Sequence, residues 1–118
     1  MKIDLHVHTG FSPDSFTNPE KAVLKAIKSG LDCIAITDHN TIDGALEAKR
    51  LFGAKVIIGE EIKSRGGEII GLYHQETIPK EFSSLVTVKI IKEPRGSVTI
   101  HHHCRYLRKH VLEKTPLT

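Results

Sequence analysis

In the opening segment Asp4-Leu5-His6-Val7-His8-Thr9, two histidines stand two residues apart in a run rich in strand formers. Side chains at i and i+2 of a strand leave the same face, so His6 and His8 can grip one metal ion from one side. Three further groups each follow a short apolar run: Thr37-Asp38-His39, the pair Glu60-Glu61 and the triplet His101-His102-His103. Imidazole nitrogens and carboxylate oxygens are the donors of hydrolytic metal clusters, in which a carboxylate can span two ions. Glu61 could span, His39 and Asp14 could hold another ion, and His102 adds a nitrogen. Ions in such a cluster polarise a phosphoryl oxygen and bring the pKa of a water to around 7, which suits in-line attack on a phosphate ester with little help from protein acids.

Each segment taken alone has a plainer reading. A lone HxH is a weak motif. Asp38 could cap a helix beside an exposed His39, Glu60-Glu61 could be surface charge, and the histidine triplet could be a chance polar run. Their joint occurrence at four strand ends points to a metalloenzyme more than to a binding module.

The elements that must position these groups are legible in the periodicity. Residues 2–8 alternate as a strand. Thr17 or Asn18 can cap a helix with Pro19 in its first turn, in which Ala22, Val23, Ala26 and Ile27 recur at helical spacing; Gly30 ends it. Leu31 to Thr37 is a continuous apolar run, the signature of a strand covered on both faces. A second helix is expected over Asp43–Phe52, stopped by Gly53, and a third strand over Val56–Ile62. Arg65-Gly66-Gly67 reads as a hairpin turn into a fourth strand, Glu68–Tyr73. Residues 74–81 read as loop and 82–93 as helix, although Val86, Thr87 and Val88 are β-branched; Ser97–His101 is a fifth strand. The order β-α-β-α-β-β-α-β predicts an α/β fold with a mainly parallel sheet and right-handed crossovers. Sites in such folds gather at the carboxyl ends of the strands, where His8, Asp38-His39, Glu61 and His102 all fall.

Bulk properties narrow the classes. The 118 residues fit one domain and can bury a core without disulfides. A formal charge of +3 does not by itself argue for nucleic-acid binding. Arg105, Arg108 and Lys109 form a basic cluster near the end, either a solvated face or a cradle for phosphate. Cys33 and Cys104 form no CxxC pair, and Cys33 in its apolar run reads as a buried thiol. There is no secretory leader pattern and no run long enough to span a bilayer, so no membrane association and a reducing, cytoplasmic setting are expected.

Taken together, His6-Val7-His8, Thr37-Asp38-His39, Gly59-Glu60-Glu61-Ile62, Gly66-Gly67-Glu68-Ile69-Ile70-Gly71-Leu72 and Ile100-His101-His102 resemble the PHP family, the polymerase and histidinol phosphatase domain. Asp14, in His8-Thr9-Gly10-Phe11-Ser12-Pro13-Asp14, matches that family's early acidic ligand, and the likeness runs to about Arg108. The resemblance implies a distorted, TIM-like β/α barrel with mainly parallel strands and up to three divalent ions, Zn, Mn or Fe. It implies hydrolysis of small phosphomonoesters, nucleotides or DNA ends. It makes His6, His8 and Glu61 ligands of one ion, Glu61 and His102 of a second, and Asp14 and His39 of a third. Glu68 stands where many members place another ligand, often His, and Asp38 would orient a ligand from behind. His103 stands where Pro is usual, and Arg105, carried as a candidate catalytic residue, where Asp often follows.

Family domains are about twice this length, in line with a β/α barrel, and close with an Asp-x-His motif that nothing after His110 matches. The expectation is therefore a single domain, 1–118, forming a partial barrel that lacks its C-terminal part. Exposed sheet edges and apolar faces would favour a homo-oligomer, and metal binding would survive better than catalysis. The leading function is a metal-dependent phosphoesterase acting on a small phosphorylated substrate; the alternative is a metal-binding, catalytically weak remnant. A nucleic-acid module using Arg105, Arg108 and Lys109 is less favoured. An amidohydrolase also opens with HxH but fits the TDH and Glu-rich segments less well.

Overall fold

Ile3, Leu5 and Val7 alternate with Asp4 and His6, and the segment Ile3–Val7 forms strand β1. The computed structural model describes residues 1–92 and 96–100. After β1 come α1 (Pro19–Lys28), β2 (Cys33–Ile36), α2 (Asp43–Phe52), a 3-10 turn (Gly53–Lys55), β3 (Val56–Ser64), β4 (Gly67–Leu72), α3 (Ser84–Lys92) and β5 (Ser97–Ile100). This is the order that the periodicity predicts, with shifted boundaries. The choice of cap for α1 falls on Asn18, whose side chain accepts the Glu20 N–H at 2.8 Å, with Pro19 opening the helix. The β-branched run did not stop α3, because Val88 and Ile91 are buried in a core cluster and packing outweighs the rotamer cost.

Among the described residues the sheet has five strands in the order β1-β2-β3-β4-β5. β1, β2 and β3 pair in parallel, whereas β3–β4 and β4–β5 are antiparallel. Four strands therefore run one way and β4 alone runs against them, in a curled half barrel. On the outer face, Val23 of α1 and Ala45 and Ala48 of α2 cover Ile34, Ile36 and Val56. Further along, Val88 and Ile91 of α3 cover Ile62, Ile69 and Val98. The inner face carries Ala35, Ile57, Ile70 and Leu72 as a closed apolar floor. Burying one such aliphatic side chain contributes about 2 kcal/mol. None of the described helices is long and apolar enough to cross a membrane.

The two adjacent glutamates of β3 part company as strand alternation requires. Glu60 goes to the outer face and is fully buried, so it is not surface charge. Its Oε1 accepts the Ile78 N–H at 2.9 Å and lies 3.0 Å from His74 Nε2. This buried pair pins the segment after β4, which the sequence marks only as loop.

Candidate metal centre

Three backbone features bring the inner-face donors to one rim. The Thr37 N–H donates to Val7 O at 2.7 Å, tying the end of β1 to that of β2. Past β2 the chain stays beside β3: Glu61 N–H donates to Asp38 O at 2.9 Å and Asn40 N–H to Glu61 O at 3.0 Å, so His39 and Glu61 stand side by side. The reversed direction of β4 supplies the third feature. Lys63 faces Glu68 across the pair, so the amino end of β4, not its carboxyl end, lies at the rim.

Asp38 organises the loop between β1 and α1. It is fully buried, and its carboxylate accepts the Thr9 N–H at 2.5 Å, the Thr9 hydroxyl at 2.7 Å and the Ser12 hydroxyl at 2.8 Å. The Ser12 oxygen in turn accepts the His39 N–H at 2.8 Å. The loop that carries Asp14 is thereby fastened to the segment that carries His39. A buried carboxylate with three donors is a satisfied anion; Asp38 is a positioning residue and touches none of the clustered donor atoms below.

Glu61 forms the base of the cluster. Its Oε1 lies 2.6 Å from His6 Nε2 and 3.1 Å from His8 Nε2, and its Oε2 lies 3.5 Å from His39 Nδ1. One oxygen of Asp14 lies 3.0 Å from both His8 Nδ1 and His39 Nε2. Glu68 Oε2 lies 3.3 Å from His39 Nδ1, sealed from solvent and without a hydrogen-bond partner. Three overlapping groups result among the described residues: His6, His8 and Glu61; His8, Asp14 and His39; and His39, Glu61 and Glu68, the donor atoms of each within 4.8 Å of one another. Mixed imidazole and carboxylate donors converging at this spacing fit divalent cations.

The electrostatics fit as well. The hydrogen bond to Glu61 raises His8 from the ordinary 6.5 to about 9 against the opposing effect of burial, with Asp14 adding to the rise. Burial works to raise Asp14 and Glu61, yet both are held low: Asp14 by His8 and His39, and Glu61 well below the carboxylate range by His8, Glu68 and His6. The hydrogen bond with Glu61, aided by burial, pushes Glu68 up to about 7. In the metal-free protein these protons occupy positions that cations would take.

A pH dependence follows. Raised groups stabilise the fold below their unfolded pKa and lose that contribution as pH climbs through the folded value. For Glu68 the loss runs from 4.5 to about 7, and for His8 from 6.5 to about 9. The lowered Asp14 and Glu61 lose theirs on the acid side. Thermal melts in chelator will peak at about pH 5 and fall on both sides. Metal affinity will run the other way, rising up to about tenfold per pH unit for each proton displaced. Melts that are flat from pH 5 to 9 in chelator would contradict this account.

The structure thus brings together His6, His8, Asp14, His39, Glu61 and Glu68, and sets Asp38 behind them. His102, Arg105, Arg108 and Lys109 lie outside the described residues. Sequence reasoning missed Thr9 and Ser12. The available signal was two small hydroxyl residues, Thr9 and Ser12, in the loop between the candidate ligands His8 and Asp14.

A family model described as PHP domain matches residues 4–114. An uncharacterized protein of Methanocaldococcus jannaschii, MJ1587, is 44% identical over 115 residues, covering 86% of this chain and 67% of that protein. A 5'-3' exoribonuclease of Haemophilus influenzae is 36% identical over 102 residues, covering 80% of this chain but 37% of the relative. Among solved structures, a Bifidobacterium adolescentis protein assigned as a metal-dependent phosphoesterase superposes with a TM-score of 0.55 at 30% identity, covering 66% of this chain and 29% of that one. The chain therefore spans well under half of the latter two.

Proposed function

This chain belongs to the PHP domain family, and from that premise we propose that its rim hydrolyses phosphate esters by metal-activated water. The coarser role, a metal-dependent hydrolase, follows from the family and its solved neighbour. The finer reading is a small phosphomonoester or nucleotide as substrate, with Zn, Mn or Fe as the metal. One observation carries it: the Glu61 carboxylate lies within 3.5 Å of ring nitrogens of His6, His8 and His39, which come from two different strand ends.

His6, His8 and Glu61 would hold one cation, and His39 with Asp14 or with Glu61 and Glu68 would hold others. Such cations supply Lewis-acid polarisation of a phosphoryl oxygen and a water acidic enough to ionise near pH 7. The chain's own residues do the rest. Asp38, through Thr9 and Ser12, fixes the loop on which Asp14 rides. The floor of Ala35, Ile57, Ile70 and Leu72 closes the site from beneath. The side chains of His6 and Asp14 are 42% and 50% exposed, which leaves the rim open to an ester approaching from solvent. An open rim admits a nucleotide end as readily as a small monoester.

Turnover of p-nitrophenyl phosphate and of a 5'-phosphorylated dinucleotide, measured with Mn2+ or Zn2+, tests the reading. The wild type will turn over at least one of them, and His8→Ala will abolish it. Tight metal binding with no turnover of either ester would refute the phosphoesterase and leave a metal-binding protein.

A further inference from the structure

We propose that Glu68 sets the metal preference of this centre, making the group His39, Glu61 and Glu68 a site for a hard divalent cation of the Mn2+ type. The inference rests on the reading of the rim as a metal centre. The three donor groups differ in kind. His6, His8 and Glu61 offer two nitrogens and one carboxylate, as do His8, Asp14 and His39, whereas His39, Glu61 and Glu68 offer one nitrogen and two carboxylates. Imidazole-rich sets suit Zn2+ and Fe2+, while carboxylate-rich sets suit Mn2+ and Mg2+. Among the described residues the third group alone crosses that line, and Glu68 is the residue that takes it across.

Geometry places Glu68 in the group rather than beside it. It lies near the start of β4, whose reversed direction delivers it to the rim, on the same inner face as Ile70 and Leu72. Its Oε2 is sealed from solvent, has no hydrogen-bond partner and stands 3.3 Å from His39 Nδ1. A sealed carboxylate oxygen at ion-pair distance from an imidazole, with no hydrogen bond formed, is better satisfied when a cation meets it. If Glu68 only braced the His39 ring, its removal would weaken all metals alike. As a preference-setting ligand, its removal separates them.

The experiment titrates the intact chain with Mn2+, followed by electron paramagnetic resonance, and with Zn2+ against a chromophoric chelator. Glu68→Gln keeps the shape and removes the charge; Glu68→His exchanges a hard donor for a softer one. The expected result is a loss of about tenfold or more in Mn2+ affinity for Glu68→Gln, with Zn2+ affinity moved less than twofold. Glu68→His will shift the Zn2+ to Mn2+ affinity ratio toward Zn2+ by about tenfold or more. Equal losses for both metals, or none for either, would overturn the proposal, and so would a Glu68→His chain that keeps the wild-type ratio. Absence of ester turnover would sink the phosphoesterase reading while leaving these metal ratios standing, so the two failures are distinguishable.

Discussion

Glu61→Gln will strip the chain of bound metal and of ester hydrolysis together. The carboxylate belongs to two of the three donor groups, touching His6 and His8 with one oxygen and facing His39 with the other. A neutral amide offers one weaker acceptor where two charged oxygens stood, so the group His6, His8 and Glu61 would lose its one carboxylate and the group His39, Glu61 and Glu68 one of its two. Metal affinity should fall by about 100-fold or more, and turnover by about 1,000-fold, the equivalent of roughly 4 kcal/mol of lost electrostatic stabilisation. A second readout needs no metal. His8 is held at about 9 chiefly by its hydrogen bond to Glu61, so its NMR titration in Glu61→Gln should move down toward 6.5. Elemental analysis showing wild-type metal content in the variant would end the case for Glu61 as the shared ligand.

The sequence made one half of this centre readable and concealed the other for physical reasons. His6 and His8 were visible because a period of two is a local property of a strand, and no tertiary knowledge is needed to put them on one face. The same rule put Glu60 and Glu61 on opposite faces and the family pattern chose Glu61, though what became of Glu60 was not legible. A carboxylate can be buried only where a distant donor meets it, and that donor, His74, lies in a stretch with no periodic signal. Glu68 shows where a fold-level rule misleads. The expectation that sites lie at strand carboxyl ends holds for parallel strands, yet β4 runs backward and brings its amino end to the rim. The family resemblance gave Asp38 an orienting office, but the means were hidden, because its partners Thr9 and Ser12 lie 29 and 26 residues away.

That office yields the second large effect. Asp38→Ala will destabilise the fold by about 3 kcal/mol, since it leaves the Thr9 N–H and two hydroxyls in a closed space without their acceptor. Against a total stability of roughly 5–15 kcal/mol this is a large share. Asp38→Asn separates charge from geometry. The Thr9 N–H and the Ser12 hydroxyl both bond to Oδ1, which an amide oxygen can replace. The Thr9 hydroxyl bonds to Oδ2, and it can turn to accept from an amide nitrogen. The asparagine variant should therefore lose only about 1–2 kcal/mol. Gly44→Ala approaches the same network from the other side, because a methyl group there would run into Asp38 Oδ2 and the Thr9 hydroxyl. It should resemble Asp38→Ala in denaturant melts even though it removes no polar group. Both destabilised variants should also bind metal more weakly, although neither residue is among the clustered donors, because the loop that presents Asp14 to His8 and His39 hangs from this network. If Asp38→Ala melts like the wild type and keeps its metal affinity, the ligands are held by their own contacts alone and the buried acid has no part in assembling them.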